Sequence, residues 1–426
     1  MWRGSVGVCI ASACVCIAGC VVDEVRTKAL REERESAPST LPTLPSDPVA
    51  SPVLRGTTAS RVAVSIETLG SISYDGLRVP IVSPNGGFIA AQEAPAPLPA
   101  VRLATRDSTA SAASRATISI SPLDAEVTGW RPRVEVFDLE APVLLGRDAS
   151  EEGVLVESPR PDGSRWIGVA AWDEQEARVR WRVRDAGVAA HAVFGPAGAI
   201  LYCRRPIDGD RFELVRLGPD GTTTTLALPD ASLVFPLMAP GQRYATCLAI
   251  SDSSAISMLL IDLSMDQGGT LGRVVRRFDL ATSGGMVGAA QIVAASQSAV
   301  QGVGRADAMG ASMGSDAVPA LGPIVFHPAM DRCVAIDASR RALVPLAPKS
   351  VAAVDAGDGR ALCSTPDGLV LWTPGPQPGR GTTTRVLSED YLPRRTASAG
   401  RPFVLFAPVR RSATDLQVFG MAPAAP

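Results

Sequence analysis

One hairpin unit returns along the chain, and it constrains the fold more than any other feature. Each copy is an apolar strand, a tight turn marked by Pro or Gly, and a second apolar strand. It reads VPIVSPNGGFIAAQ at 79–92, LVESPRPDGSRWIGVA at 155–170, AVFGPAGAILYC at 192–203 and PLMAPGQRYATC at 236–247. It returns as IVFHPAMDRCVAI at 324–336, AAVDAGDGRALC at 352–363 and SAGRPFVLF at 398–406. A second echo, Gly221 followed by threonines and Gly381 followed by threonines, fits four periods of about 40 residues. Wider gaps elsewhere leave room for degenerate units near Pro122 and Gly284. A lone hairpin is at best marginally stable in water, so units like these must stack on one another.

Stacking sheets face to face buries inner strands on both sides. Such strands read as continuous apolar runs rather than alternating ones. AILYC, ISMLLIDL and PFVLFAPV have that texture. Thirty-nine Gly and 35 Pro supply turns, and few aromatics are present. The expectation is an all-β fold, a single β-propeller over residues 61–420 with seven blades, eight being the alternative count. A flexible insertion rich in Gly, Ala and Ser is expected near 296–320. Closing the ring hides sheet edges, and RVAVSIE (61–67) is expected to complete the last blade, whose own unit lacks a fourth strand.

The turn sequences Ser83-Pro84-Asn85-Gly86 and Pro161-Asp162-Gly163 resemble the hairpin of TolB-type (WD40-like) propeller repeats. The resemblance covers about residues 75–420 and implies that the turn joins the first and second strands of each blade.

The N-terminus sets the expected compartment. Arg3 precedes an apolar stretch, Val6 to Ala18, too short for the roughly 20 residues of a membrane span but suited to an export signal. Ile17-Ala18-Gly19-Cys20 resembles the lipobox of bacterial lipoproteins. That resemblance implies a signal peptide at 1–19 and a lipid-carrying Cys20 as the mature N-terminus, hence the cell envelope. Residues 20–60 read as a tether. Its segment 36–52 carries five prolines and would form a semi-rigid spacer reaching about 50 Å.

Few residues carry chemistry. Cys203, Cys247 and Cys363 occupy one position in the aligned units. Equivalent positions on stacked sheets stand about 10 Å apart, too far for a disulfide, so these and Cys333 are expected as buried free thiols. With two histidines, His191 and His327, and no CxxC pair, no metal centre is expected; His327 fits a turn. Gly310-Ala311-Ser312-Met313-Gly314 matches GxSxG but lacks the strand and helix that give the motif meaning, so Ser312 receives no role. Arg178, Arg180, Arg182 and Arg184 alternate on one strand face, as a solvated outer strand would. Three pairs, Arg204-Arg205, Arg340-Arg341 and Arg410-Arg411, each follow the second strand of a unit. They would share one face of the disc and suit an anionic partner.

No phosphate loop, dinucleotide fingerprint, zinc-protease helix or EF-hand loop is present, so neither a cofactor nor a catalytic residue is assigned. A net charge of −2 gives no global field toward nucleic acid. The expected role is a membrane-anchored binding or scaffold propeller. Its partners would be the membrane, through Cys20, and other envelope proteins or an anionic glycan. The alternative is a propeller enzyme of the glycan hydrolase or lyase type, working in the central funnel.

Overall fold

The computed structural model describes residues 64–75, 78–93, 118–123, 134–136, 142–151, 153–172, 177–184, 187–239, 242–265, 268–294, 321–376, 380–389, 391–398, 401–409 and 415–423. The signal peptide, Cys20, the tether, the 296–320 insertion with Ser312, and Arg410-Arg411 lie outside them.

Described strands follow one another as antiparallel meanders. The first is β2 (Ile81–Val82), β3 (Phe88–Gln92), β4 (Ile118–Pro122) and β5 (Val134–Val136). Next come β6 (Leu144–Ala149), β7 (Gly153–Pro159), β8 (Arg165–Trp172) and β9 (Ala177–Val183). Then follow β10 (Val188–Phe194), β11 (Ile200–Arg205), β12 (Glu213–Leu217) and β13 (Thr223–Leu226). Four further sheets complete the order. They are β14 (Ala231–Met238), β15 (Tyr244–Ser251), β16 (Ile256–Asp262) and β17 (Arg273–Ala281); and β18 (Ile324–His327), β19 (Arg332–Asp337) and β20 (Ala342–Pro345). After them come β21 (Ala352–Gly357), β22 (Arg360–Thr365), β23 (Gly368–Pro374) and β24 (Gly381–Leu387). The last sheet contains β25 (Leu392–Arg395), β26 (Phe403–Pro408) and β27 (Asp415–Pro423).

The ring closes as the sequence suggests. β1 (Val64–Ser73) pairs antiparallel with β27, from Val64↔Pro423 to Ser73↔Asp415, and supplies the last sheet's outer strand. The earliest described strand thus completes the sheet made by the latest ones.

Packing follows the same circle. Ile81 and Phe88 meet Leu145 and Val156; Leu155 and Ile167 meet Ile200 and Val215. Leu201 and Leu214 join Leu233 and Leu259, and that cluster runs on to Val325 and Val334. Ile324 and Ala335 meet Ala353 and Val370; Val354 and Leu362 meet Leu405 and Met421; Val404 and Phe406 return to Val82 and Ile89. Each fully buried aliphatic side chain contributes roughly 1.5–3 kcal/mol. The apolar contact between sheets, rather than any one hairpin, therefore holds the β-propeller.

Three expectations need correction. The ladders form five sheets among the described residues, not seven or eight. The first three meanders merge into one 12-stranded sheet through two single-residue parallel contacts, Val136↔Ala177 and Val188↔Arg165. The turn at Pro161-Asp162-Gly163 joins β7 and β8, the second and third strands of its meander, not the first and second. Asp162 accepts the Ser164 N–H there, at 2.9 Å. Such an Asx turn closes any hairpin and carries no information about which hairpin it is. Finally, no extra unit stands at Pro122 or Gly284. Pro122 ends β4, and Gly284 precedes the helix α1 (Gly285–Ala294), which buries Ala289, Ile292 and Val293 beside Ile256.

Candidate functional site

The first strands of three successive meanders, β6, β10 and β14, each break register. The breaks fall between Leu145 and Ala149, between Ala190 and Val193, and between Val234 and Leu237. Such bulges re-aim a side chain, and here the three breaks bring Arg147, His191 and Phe235 together. The His191 and Phe235 rings lie 4.0 Å apart, and the Arg147 guanidinium carbon sits 4.2 Å from the Phe235 ring centre. His191 and Phe235 both adopt left-handed backbone conformations, φ 59° and 54°. That conformation costs a non-glycine residue on the order of 1–2 kcal/mol and persists only where surroundings enforce it. Gly146 is needed for close approach, because a Cβ there would lie 2.5 Å from the Leu155 carbonyl oxygen.

Two buried carboxylates hold the bulges. Glu157 Oε1 accepts the His191 backbone N–H at 2.9 Å, and Glu157 Oε2 pairs with Arg165 at 3.1 Å. Asp148 accepts two amides, Ala149 through Oδ1 and Phe194 through Oδ2, both at 2.9 Å. Arg78 donates to the Leu145 carbonyl oxygen, and Gln92 Oε1 accepts the Leu145 N–H at 2.7 Å. The backbone groups that the bulges release from the ladder are thus taken up by side chains.

The electrostatics are uneven. Burial pushes the Asp148 carboxyl up to about 6, opposed by its two amide donors. Burial, then Arg147, Arg165 and Arg78, hold the His191 imidazole well below its usual range, so it is neutral at pH 7. Burial lowers Arg147 to about 10 against the pull of Glu157, and it stays charged. Part of the Arg147 side chain remains accessible although its guanidinium lies deep. Among the described residues, Arg147 Nη1 and His191 Nε2 are buried without a protein partner. Three arginines around two carboxylates leave a local surplus of positive charge in a chain of net charge −2. This arrangement can receive an anionic acceptor, because the carboxylates are already engaged with backbone amides and Arg165.

The residues expected from sequence lie elsewhere. Arg204 and Arg205 are the last two residues of β11; Arg204 pairs with Glu213, its Nε 2.7 Å from Oε1, while Arg205 lies over the Phe212 ring at 5.6 Å. Arg340 and Arg341 occupy the β19–β20 turn, where Arg340 stands 3.5 Å from Asp337. Of the two described pairs, only Arg340-Arg341 follow a second strand; Arg204-Arg205 form the end of one instead of the turn after it, and each pair has local contacts. Cys203, Cys247, Cys333 and Cys363 are free and buried on the second strands β11, β15, β19 and β22. Cys203 and Cys247 nevertheless reach each other across neighbouring sheets. Burial, then Cys247, pushes the Cys203 thiol well up. His327 precedes the turn at Pro328–Met330, as expected. Arg178, Arg180, Arg182 and Arg184 are exposed on or just past β9, the outer strand, with Val183 buried on the other face. No group of three potential metal ligands occurs among the described residues.

Sequence reasoning missed Arg147, Asp148, Glu157 and Arg165 as a group. His191 and Phe235 do share one place in the aligned units, five residues before Pro196 and Pro240. Phe235 gives no signal of a bulge, since left-handed positions usually carry Gly, Asn, Asp or His, and a single histidine, His191, is too common a residue to mark one.

No family model matches the chain, and no curated protein matches it. Solved structures similar to it include the WD40 domain of Toxoplasma gondii coronin, at 9% identity and TM-score 0.48, covering 86% of this chain and 88% of that one. The Cps50 (Swd1) propeller domain of Myceliophteria thermophila has 12% identity and TM-score 0.42, covering 83% and 99%. The periplasmic gluconolactonase of Pseudomonas aeruginosa has 13% identity and TM-score 0.37, covering 74% and 86%. Likenesses at this level say nothing of chemistry.

Proposed function

We propose that this chain is a membrane-tethered binding propeller of the bacterial envelope, with its ligand seated at the junction of β6, β10 and β14. The observation that carries the binding reading is the pair of buried donors, Arg147 Nη1 and His191 Nε2, gathered by three aligned bulges. A buried donor without a partner costs about 1–3 kcal/mol, and that cost is recovered when an acceptor arrives. Ligand co-purifying with the wild-type chain, and absent from Arg147→Met, supports this reading; equal recovery from both sinks it.

The ring is built from the three meanders of the 12-stranded sheet and the four remaining sheets. Lipid on Cys20 and the Pro-rich tether would hold it at a membrane face, with TolB-type repeats as the nearest description of its units. Radioactive fatty-acid labelling tests the anchor: label is expected on the wild type and lost in Cys20→Ala. An unlabelled wild type overturns it. Arg204, Arg205, Arg340, Arg341, Arg410 and Arg411 are proposed as a second, weaker anionic-partner face, for an envelope protein or an acidic glycan.

One observation favours the enzyme reading. Asp148, raised to about 6, carries a proton at mildly acidic pH at the same strand junction as the neutral His191 imidazole. Turnover of a glycan substrate that is lost in Asp148→Asn would establish it.

A further inference from the structure

Resting on the binding reading, we infer that the junction ligand presents a carboxylate. The two buried donors, Arg147 Nη1 and His191 Nε2, are matched in number by the two oxygens of one carboxylate. A phosphate brings further oxygens that these two donors leave without partners. The charge sign agrees: Arg78, Arg147 and Arg165 all bear on the imidazole, while Glu157 is paired with Arg165 and Asp148 is pushed toward its neutral form. We take the neutral His191 imidazole to carry its N–H on Nε2, the nitrogen left without a partner, so that it donates and capture needs no protonation of the ring. Phe235, 3% exposed, stacks on both donor groups and restricts them to a narrow set of rotamers. Arginine is suited to such recognition because its guanidinium stays charged when buried and donates in a fixed plane. The strain at His191 and Phe235 is then the cost of aiming both groups at one point.

A second buried arginine lacks these features. Arg394 on β25 is 1% exposed, donates Nη1 to the Pro393 carbonyl oxygen at 3.2 Å and leaves Nε without a partner. Burial alone lowers it to about 9. No second orphan donor accompanies it among its described contacts.

The experiment is calorimetric titration of the full chain with benzoate, acetate, inorganic phosphate and chloride at equal ionic strength. Carboxylates are expected to bind at least tenfold more tightly than phosphate or chloride. Arg147→Met is expected to weaken them at least tenfold, and His191→Asn, which tolerates the left-handed conformation and keeps an N–H donor, less than threefold. Arg277→Met, at an exposed position of β17, serves as a surface control and should change nothing. If phosphate binds in an Arg147-dependent way and carboxylates do not, the ligand class is wrong while the junction stands as a binding site. If no arm depends on Arg147, both readings fall. Thermal melts of each variant separate lost binding from lost folding.

Discussion

Two inner-strand junctions of the ring solve the same problem differently. Where β21 meets β25, Asp355 is 1% exposed and fully engaged: Oδ2 pairs with Arg395, and Oδ1 accepts the Gly357 and Leu321 amides at 3.3 and 3.4 Å. Where β6, β10 and β14 meet, Glu157 and Asp148 are engaged as well, yet Arg147 and His191 retain unused donors. Buried charge therefore serves cohesion on one side and leaves recognition capacity on the other. Both junctions carry a register break, since β21 shifts between Asp355 and Gly357; what separates them is the fate of the guanidinium. Asp355 holds Arg395, whereas Glu157 and Asp148 are consumed by backbone amides and Arg165, and Arg147 Nη1 is left over.

The comparison breaks most visibly at Asp355. Asp355→Ala removes an acceptor from Arg395 and from two amides, and urea unfolding should show a loss of about 3–5 kcal/mol. A loss under about 1 kcal/mol would mean the pair does not hold the junction.

The next effect is on pH dependence. Asp148 titrates near 6 in the fold and near 3.8 unfolded. The native state therefore binds its proton first, and this group adds stability as pH falls from about 6 to about 4, amounting to roughly 3 kcal/mol. His191 works the other way: its folded value lies below 6.5, so it removes stability as pH falls through 6.5 and below. Asp148→Asn should steepen the acid loss, and His191→Asn should flatten it. Identical pH profiles for the two variants would contradict these assignments.

A smaller effect is expected at Arg147. Replacing an unpaired buried cation by a similar apolar side chain is often neutral or stabilising, so Arg147→Met should hold stability within about 1 kcal/mol or raise it. A loss as large as that of Asp355→Ala would show that Arg147 has a structural partner and that the two junctions are alike. The smallest effect belongs to Asp358. It forms an exposed pair with Arg360 at 2.7 Å in the same blade as Asp355. Asp358→Asn keeps a residue that tolerates φ 52° and should leave the urea midpoint unchanged, since exposed pairs contribute little.

Much of this architecture is legible from residues. The continuous apolar runs around Ile200, Met258 and Val404 mark strands buried on both faces, and each lies in a core between sheets. The unmatched strand before the first unit is β1, and it closes the last sheet. The four alternating arginines on and after β9 face solvent, because period two places every second side chain on one face. Turn chemistry was less discriminating, as Pro161-Asp162-Gly163 shows. The binding junction was harder to see, since it rests on register breaks at Arg147, His191 and Phe235. Sequence periodicity reports which face a residue takes, and a bulge overrides that periodicity locally.

The account depends above all on the chain closing into a ring. Ser71 on β1 and Gln417 on β27 are exposed cross-strand partners. Antiparallel partners have Cα atoms about 4.5–5.5 Å apart, within disulfide range. Mild oxidation of the Ser71→Cys, Gln417→Cys variant should form an intramolecular crosslink in the folded protein and raise its melting temperature. A Ser71→Cys, Arg216→Cys variant, with its cysteines on different sheets, should not crosslink. Absence of the first crosslink in folded protein, or equal crosslinking of both variants, would contradict the closed ring.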